Sequence, residues 1–248
     1  MRPTIAFDRL GDGPPIIIVL GAFNTRSTGA PLAAALAATH TVINYDRRGR
    51  GGSGDSAPYA VEREIEDLET LVQTVGGTSG VFGFSSGAAL ALAAAAHGLA
   101  ISRLALFDLP LQTERAFPVD HAAALAALIA AGKRGAAVEY FQRQLVGIPE
   151  PVVVQLRTAP FRPALEAMAH TLVYEAMVLG DGRLSLDQAR AVRAPTLALA
   201  AGAAPPFMRE TATVLARTVP DGRALVLEGA THDLVPEVLV PPLNTFFG

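Results

Sequence analysis

Gly83-Phe84-Ser85-Ser86-Gly87 separates a short β-like run, Ser79–Phe84, from a long alanine-rich stretch at residues 86–97. The five residues match G-x-S-x-G, and the flanking pattern predicts a strand that reverses sharply into a helix at the central serine. Such a reversal places Ser85 in a strained backbone conformation. The glycines two before and two after it carry no Cβ, so strand, turn and helix can approach closely. The Ser85 hydroxyl then stands above the sheet edge. The next N–H, that of Ser86, lies at the helix N-terminus, where the partial positive charge steadies an anion. In a glycine-rich chain the pentapeptide alone is weak; the strand before it and the helix after it make it specific.

Working outward, residues 4–10 predict an opening strand, closed by the turn signal Gly11-Asp12-Gly13-Pro14-Pro15. Residues 16–20 form a continuous β-branched run of the kind buried on both faces of a parallel sheet. A helix at 30–38, a strand at Thr41–Tyr45 and an amphipathic helix at 61–75 lead up to the serine turn. Beyond the alanine-rich helix come strands at Ile101–Phe107, 195–200 and 223–227, a helix at 207–218 between the last two, and a final helix at Pro236–Phe247. Strands alternating with helices predict an α/β protein with a doubly wound, mostly parallel sheet.

Residues 109–192 break that alternation. They hold helical stretches at 122–131, 136–145 and 162–179, with prolines at 110, 118, 149, 151, 160 and 163 and no clear strand. The expected organisation is a core made of residues 1–108 and 193–248, with 109–192 inserted as a helical cap. That cap would lie over the carboxyl ends of the strands, where ligands of open sheets bind.

Composition narrows the possibilities. A chain of 248 residues fits one large domain with an inserted subdomain. Half the residues are hydrophobic and 17% charged, which describes a folded chain rather than a disordered one. A net charge of −3 offers no case for nucleic acid or an anionic membrane surface as partner, so the expected partner is a small-molecule substrate. The absence of cysteine excludes disulfides, thiolate metal sites and a cysteine nucleophile. Residues 88–107 are largely apolar, but His97, Gly98, Ser102 and Arg103 interrupt them, as helix, turn and strand require and a membrane span does not. The first fifteen residues carry Asp8, Asp12 and paired prolines where a secretory leader has its apolar core, which sets a cytoplasmic expectation.

With the serine turn in place, the chain resembles the α/β-hydrolase superfamily from end to end. Gly21-Ala22-Phe23 follows the strand at 16–20, where the family places a small-residue oxyanion loop. Residues 45–54, Tyr-Asp-Arg-Arg-Gly-Arg-Gly-Gly-Ser-Gly, resemble the family's Asp-x-Arg-Gly-x-Gly-x-Ser loop after the next strand. His232 follows the last strand, as the family's histidine does, and the order serine, acid, histidine is also the family's. The resemblance implies a cofactor-independent serine hydrolase with Ser85 as nucleophile, His232 as base and the amides of Phe23 and Ser86 as oxyanion donors. Ala22 takes the place of Phe23 if the loop is shifted by one residue. His40, His97, His121 and His170 lie in or beside alanine-rich helical stretches and read as packing or surface residues.

The acid departs from the commonest family pattern. The loop after the 195–200 strand, Gly202-Ala203-Ala204-Pro205-Pro206-Phe207, contains no carboxylate. The family's second known placement is the end of the preceding strand, and Asp108 stands there, after Phe107 and before Leu109-Pro110. Its alternative role is capping of the turn before Pro110. Asp233 adjoins His232 and its side chain should diverge from it, while Asp46 is expected to brace the glycine loop through Arg47 or Arg48.

Other signals carry less. Gly49-Arg50-Gly51-Gly52-Ser53-Gly54 satisfies G-x-G-x-x-G, but Pro58 intervenes before the helix and no acidic residue ends the following strand, so it is not a dinucleotide fingerprint. No paired histidine and carboxylate spacing suggests a metal, and no cofactor is implied. Leu111, Phe117, Phe141, Phe161, Met168, Tyr174 and Met177 make the inserted segment mostly apolar, which points to a neutral, fairly apolar ester or lactone. All groups named for chemistry lie at residues 21–108 and at His232. Acyl transfer or ring closure on the same serine, and a ligand-binding homologue without turnover, are the alternative activities.

Overall fold

The computed structural model describes residues 3–114 and 117–248; residues 1–2 of the expected core and 115–116 of the expected insertion lie outside them. Seven strands form one sheet: β1 (Phe7–Leu10), β2 (Pro15–Val19), β3 (Thr41–Tyr45), β4 (Ser79–Phe84), β5 (Ile101–Phe107), β6 (Thr196–Ala201) and β7 (Gly222–Leu227). Their spatial order is β1-β3-β2-β4-β5-β6-β7. Only β1 runs antiparallel, pairing with β3 at the edge; the other neighbours are parallel. The core helices are α1 (Arg26–Leu36), α2 (Val61–Thr74), α3 (Ser86–Ala96), α10 (Pro206–Thr218) and α11 (Pro236–Phe247).

Strand alternation sorts the core into two layers. Ile17, Val19, Ile43, Val81 and Leu106 face α2, α3 and α10 on one side of the sheet. Ile16, Ile18, Leu20, Phe82 and Phe107 face α1 and α11 on the other. Because successive side chains point to opposite faces, an all-apolar strand such as β2 supplies both layers at once. Each fully buried side chain of this size contributes about 1.5–3 kcal/mol.

Between β5 and β6 run α4 (His121–Ala130), α5 (Arg134–Phe141), a π-helical turn (Gln142–Val146), α6 (Glu150–Leu156), α7 (Arg162–Ala167), α8 (Thr171–Leu179) and α9 (Leu186–Ala191). Leu125, Val138, Phe141, Leu172 and Ala176 form a separate apolar cluster here, and Ala22 and Phe23 pack against it. The two ends of the segment, Leu109 and Leu111 at one and Leu184, Ala189 and Val192 at the other, join the core layer beside α3 instead.

Several element boundaries differ from expectation. The single helix expected at 162–179 is two, broken where the Thr171 hydroxyl donates to Met168 O at 2.8 Å. The opening strand begins at Phe7 rather than at residue 4. Helix α6 starts with proline in its first turn, a position that needs no N–H, so Pro149 and Pro151 introduce a helix where they had read as loop punctuation. Helix α9 is short and is marked only by Ser185, whose hydroxyl accepts the Gln188 N–H. Helix α1 begins four residues early, through Arg26-Ser27-Thr28-Gly29. Gly29 is needed there because a Cβ would sit 2.7 Å from Asn44 Oδ1.

Candidate active site

Strands β4 and β5 end level with one another, Phe84 standing opposite Phe107. Ser85 and Asp108 are therefore the first residues beyond two adjacent strand ends. Both leave the β conformation abruptly, with φ of 56° and 51°. Phe23, in the loop after β2, has φ of 62°, and these three are the only non-glycine residues with positive φ among those described. Each such conformation costs roughly 1–3 kcal/mol, and strain of this kind persists only where surrounding structure imposes it. Here it gathers at one sheet edge.

At Ser85 the backbone is set by its neighbours. Its N–H donates to Phe107 O at 2.9 Å, and with ψ of −129° it turns the chain directly into α3. The closeness of this turn depends on absent side chains. A Cβ on Gly83 would lie 2.6 Å from Ala88 Cα, and one on Gly87 would collide with the carbonyl oxygens of Val19 and Leu20. The loop on the other side is equally tight: a Cβ on Gly21 would lie 2.9 Å from Ser85 Cβ.

Asp108 is fully buried and uses both carboxylate oxygens. Oδ1 accepts the Ala201 N–H at 2.8 Å, and Oδ2 accepts from His232 Nδ1 at 2.8 Å. Ala201 ends β6, so the strand whose following loop lacks a carboxylate supplies a donor that holds the carboxylate of its neighbour. His232 arrives on the loop between β7 and α11, its ring tilted 37° against Phe84 with centroids 4.8 Å apart. Its side chain is 41% exposed, so one face of the imidazole meets solvent while its acid does not. Donating the Nδ1 proton to Asp108 leaves Nε2 as the acceptor nitrogen.

The other candidates resolve individually. Asp233 accepts from Thr231 Oγ1 at 2.8 Å and makes no bond to the His232 ring. Asp46 does brace the glycine loop, but through the Gly52 N–H at 2.9 Å and the Arg26 N–H at 2.7 Å, not through Arg47 or Arg48. His40 bonds Thr39, His121 bonds Tyr140 and His170 lies beside Arg134 and Asp55, so these three are engaged elsewhere. The Ala22 N–H donates to Ser86 Oγ at 2.9 Å, whereas the Phe23 N–H has no acceptor among the described residues. As the first residue of α3, Ser86 likewise has no intrahelical acceptor for its N–H.

Sequence reasoning missed a buried ionic cluster behind the loop at residues 21–24. Arg47 makes a bidentate pair with Glu64, both bonds 2.7 Å, and donates to Glu175 at 2.9 Å; Arg50 pairs with the same Glu175. All four side chains are buried. Burial works against the charge of Arg47, yet the Glu64 carboxylate beside it holds the guanidinium above its ordinary range. Burial, with the Arg47 charge next to it, pulls Arg50 below that range. The signal present in the sequence was the pair of arginines in the glycine loop; nothing local marked Glu175, 125 or more residues away, as their partner.

A serine on a strained strand-to-helix turn, a buried aspartate holding a histidine from a later loop, and free amides at the turn together define a hydrolase-type site of the α/β class. The chain belongs to the alpha/beta hydrolase family, whose model matches residues 16–239. Among solved structures it is similar to an alpha/beta hydrolase from Sphaerobacter thermophilus, 48% identical, with 99% of this chain and 97% of that one covered and a TM-score of 0.93. An esterase from Exiguobacterium antarcticum (21% identity, coverage 99% and 96%, TM-score 0.75) shares the fold. So does the enol-lactonase from Burkholderia xenovorans (23%, 98% and 93%, 0.65). Comparison with curated proteins returns no match. Among the described residues no helix is long and apolar enough to cross a membrane, and no cluster of three or more histidine, aspartate or glutamate side chains could hold a metal ion.

Proposed function

We propose that the protein is a serine hydrolase that cleaves a carboxylic ester or lactone of a neutral, fairly apolar small molecule through an acyl-enzyme. The observation that carries this reading is the 2.8 Å bond from His232 Nδ1 to Asp108, made one strand away from the strained Ser85. Ser85 Oγ attacks the carbonyl carbon while His232 Nε2 takes its proton, and the buried Asp108 carboxylate stabilises the imidazolium. The carbonyl oxygen, now an alkoxide, is held by the N–H groups of Phe23 and Ser86. Collapse expels the alcohol, protonated by His232. Water then attacks the acyl carbon with His232 as base and releases the acid. The open face of His232 favours water as the acceptor over a second alcohol.

The substrate class follows from the walls. The Phe23 ring meets Phe141 edge-on at 5.5 Å against the apolar cluster of Leu125, Val138, Leu172 and Ala176, and the charges behind the loop, Arg47, Arg50, Glu64 and Glu175, are paired with one another. The inserted helices at 109–192 would thus act as a cap that selects the acyl or alcohol part. Esterase and enol-lactonase activities named for proteins of the same fold lie within this range. The test is a panel of neutral esters and lactones of graded size, with amides and epoxides as controls. Saturable hydrolysis of esters or lactones that disappears in Ser85→Ala is expected. A folded wild-type protein that binds these compounds and turns over none of them would replace this reading with that of a ligand-binding homologue.

A further inference from the structure

Glu175, on α8 of the inserted segment, is buried completely and touches no part of the proposed chemistry. Its Oε1 nevertheless receives Arg47 Nη1 at 2.9 Å and is paired with Arg50 Nη2. Each arginine also holds a carbonyl of the chain entering the oxyanion loop. Arg47 Nη1 donates to Leu20 O at 3.2 Å, and Arg50 Nη1 donates to Gly21 O at 2.7 Å. The next carbonyl, Ala22 O, accepts Asn24 Nδ2 at 2.8 Å. Three successive peptide planes are thereby fixed.

In a trans peptide the C=O and the following N–H point in opposite directions. Holding Gly21 O against Arg50 therefore turns the Ala22 N–H toward Ser86 Oγ, its observed acceptor. Holding Ala22 O in turn leaves the Phe23 N–H facing the other way and unbonded. Arg47 would keep its position without Glu175, because Glu64 grips it with two bonds. Among the described residues Arg50 has no second carboxylate within ion-pair distance, and its Nε is buried without a partner. Its placement depends on Glu175.

We propose that Glu175 is a positioning residue for the reaction: through Arg50, and secondarily Arg47, it fixes the two peptide planes that lead into the Ala22–Phe23 peptide, and with them the place from which the Phe23 N–H meets the developing oxyanion. This rests on the serine-hydrolase reading above. It also makes the inserted helices part of the catalytic support, although every group named for chemistry from the sequence lies outside them.

The experiment compares wild type, Glu175→Gln, Arg50→Lys and Asp55→Ala. Asp55 accepts the Tyr174 hydroxyl at 2.7 Å and so also ties α8 to the core, but it holds no carbonyl of the loop. Steady-state ester hydrolysis is measured together with affinity for a trifluoromethyl ketone, to which Ser85 adds reversibly to give an alkoxide in the oxyanion site, and for the product acid, which makes no such alkoxide. Glu175→Gln and Arg50→Lys should each lower kcat by about 10²-fold with KM nearly unchanged, and weaken the ketone in parallel but not the acid. Asp55→Ala should leave kcat near wild type. If Glu175→Gln does not fold, Arg50→Lys carries the same comparison. A fall in kcat no larger than the loss of folded protein, or equal weakening of ketone and acid, would overturn the proposal. Absence of any Ser85-dependent turnover in wild type would instead remove the functional reading on which it rests.

Discussion

The strand ends that carry Ser85 and Asp108 and the buried cluster around Glu175 converge on the same few peptide groups, but they are built differently. At the strand ends, position comes from the backbone: level β4 and β5, three residues with positive φ, and glycines that let main chains touch. In the cluster, position comes from side chains far apart in sequence whose charges neutralise one another in a buried interior. The first kind of site is stiff and local. The second depends on every partner being present, because removing one leaves an uncompensated buried charge, which is more costly than the intact pair is stabilising.

This contrast orders the expected effects of substitution. Asp108→Asn keeps the shape at the strand end but favours the wrong imidazole tautomer, so kcat/KM for an ester should fall by about 10⁴ with the fold, followed by circular dichroism, intact. A loss below tenfold would mean that His232 is oriented by something other than the strand end. Ser86→Ala tests a point where the two regions meet, since the Ser86 hydroxyl receives the Ala22 N–H across the turn. Loss of one such bond is worth about 1 kcal/mol, roughly fivefold in kcat, and larger losses would show that the loop has no other support. The carbonyl-side bonds from Arg50 and Asn24 are the reason to expect the smaller figure. Asp233→Asn should change kcat/KM by less than about twofold, because that carboxylate bonds Thr231 and not the imidazole. A steep loss there would transfer the acid from the strand end to the loop and break the comparison.

The same contrast explains what could be read from the chain. The order of strands and helices followed from apolar runs alternating with amphipathic ones, and Ser85 from a five-residue pattern in its flanking context. Asp108 was reachable as a candidate acid through the family resemblance, since the 202–207 loop lacks a carboxylate and residue 108 stands at the family's second placement, the end of the neighbouring strand. Its second bond, from the Ala201 N–H, was not legible, because strand register is a property of the assembled sheet. The break before α8 and the existence of α6 and α9 were missed because short helices carry too few turns to show a period. Glu175 was invisible for a different reason. A glutamate in an apolar helix marks a buried charge only once its partners, Arg47 and Arg50, are known to face it.

Every part of this account requires that Ser85, and not its neighbour, be an activated nucleophile. Intact-protein and peptide mass spectrometry after exposure to a fluorophosphonate tests that directly. One adduct per chain, located on Ser85, is the predicted result. It should be absent from Ser85→Ala and retained in Ser86→Ala. A folded wild-type protein that takes up no label, or takes it up on Ser86, would contradict the account.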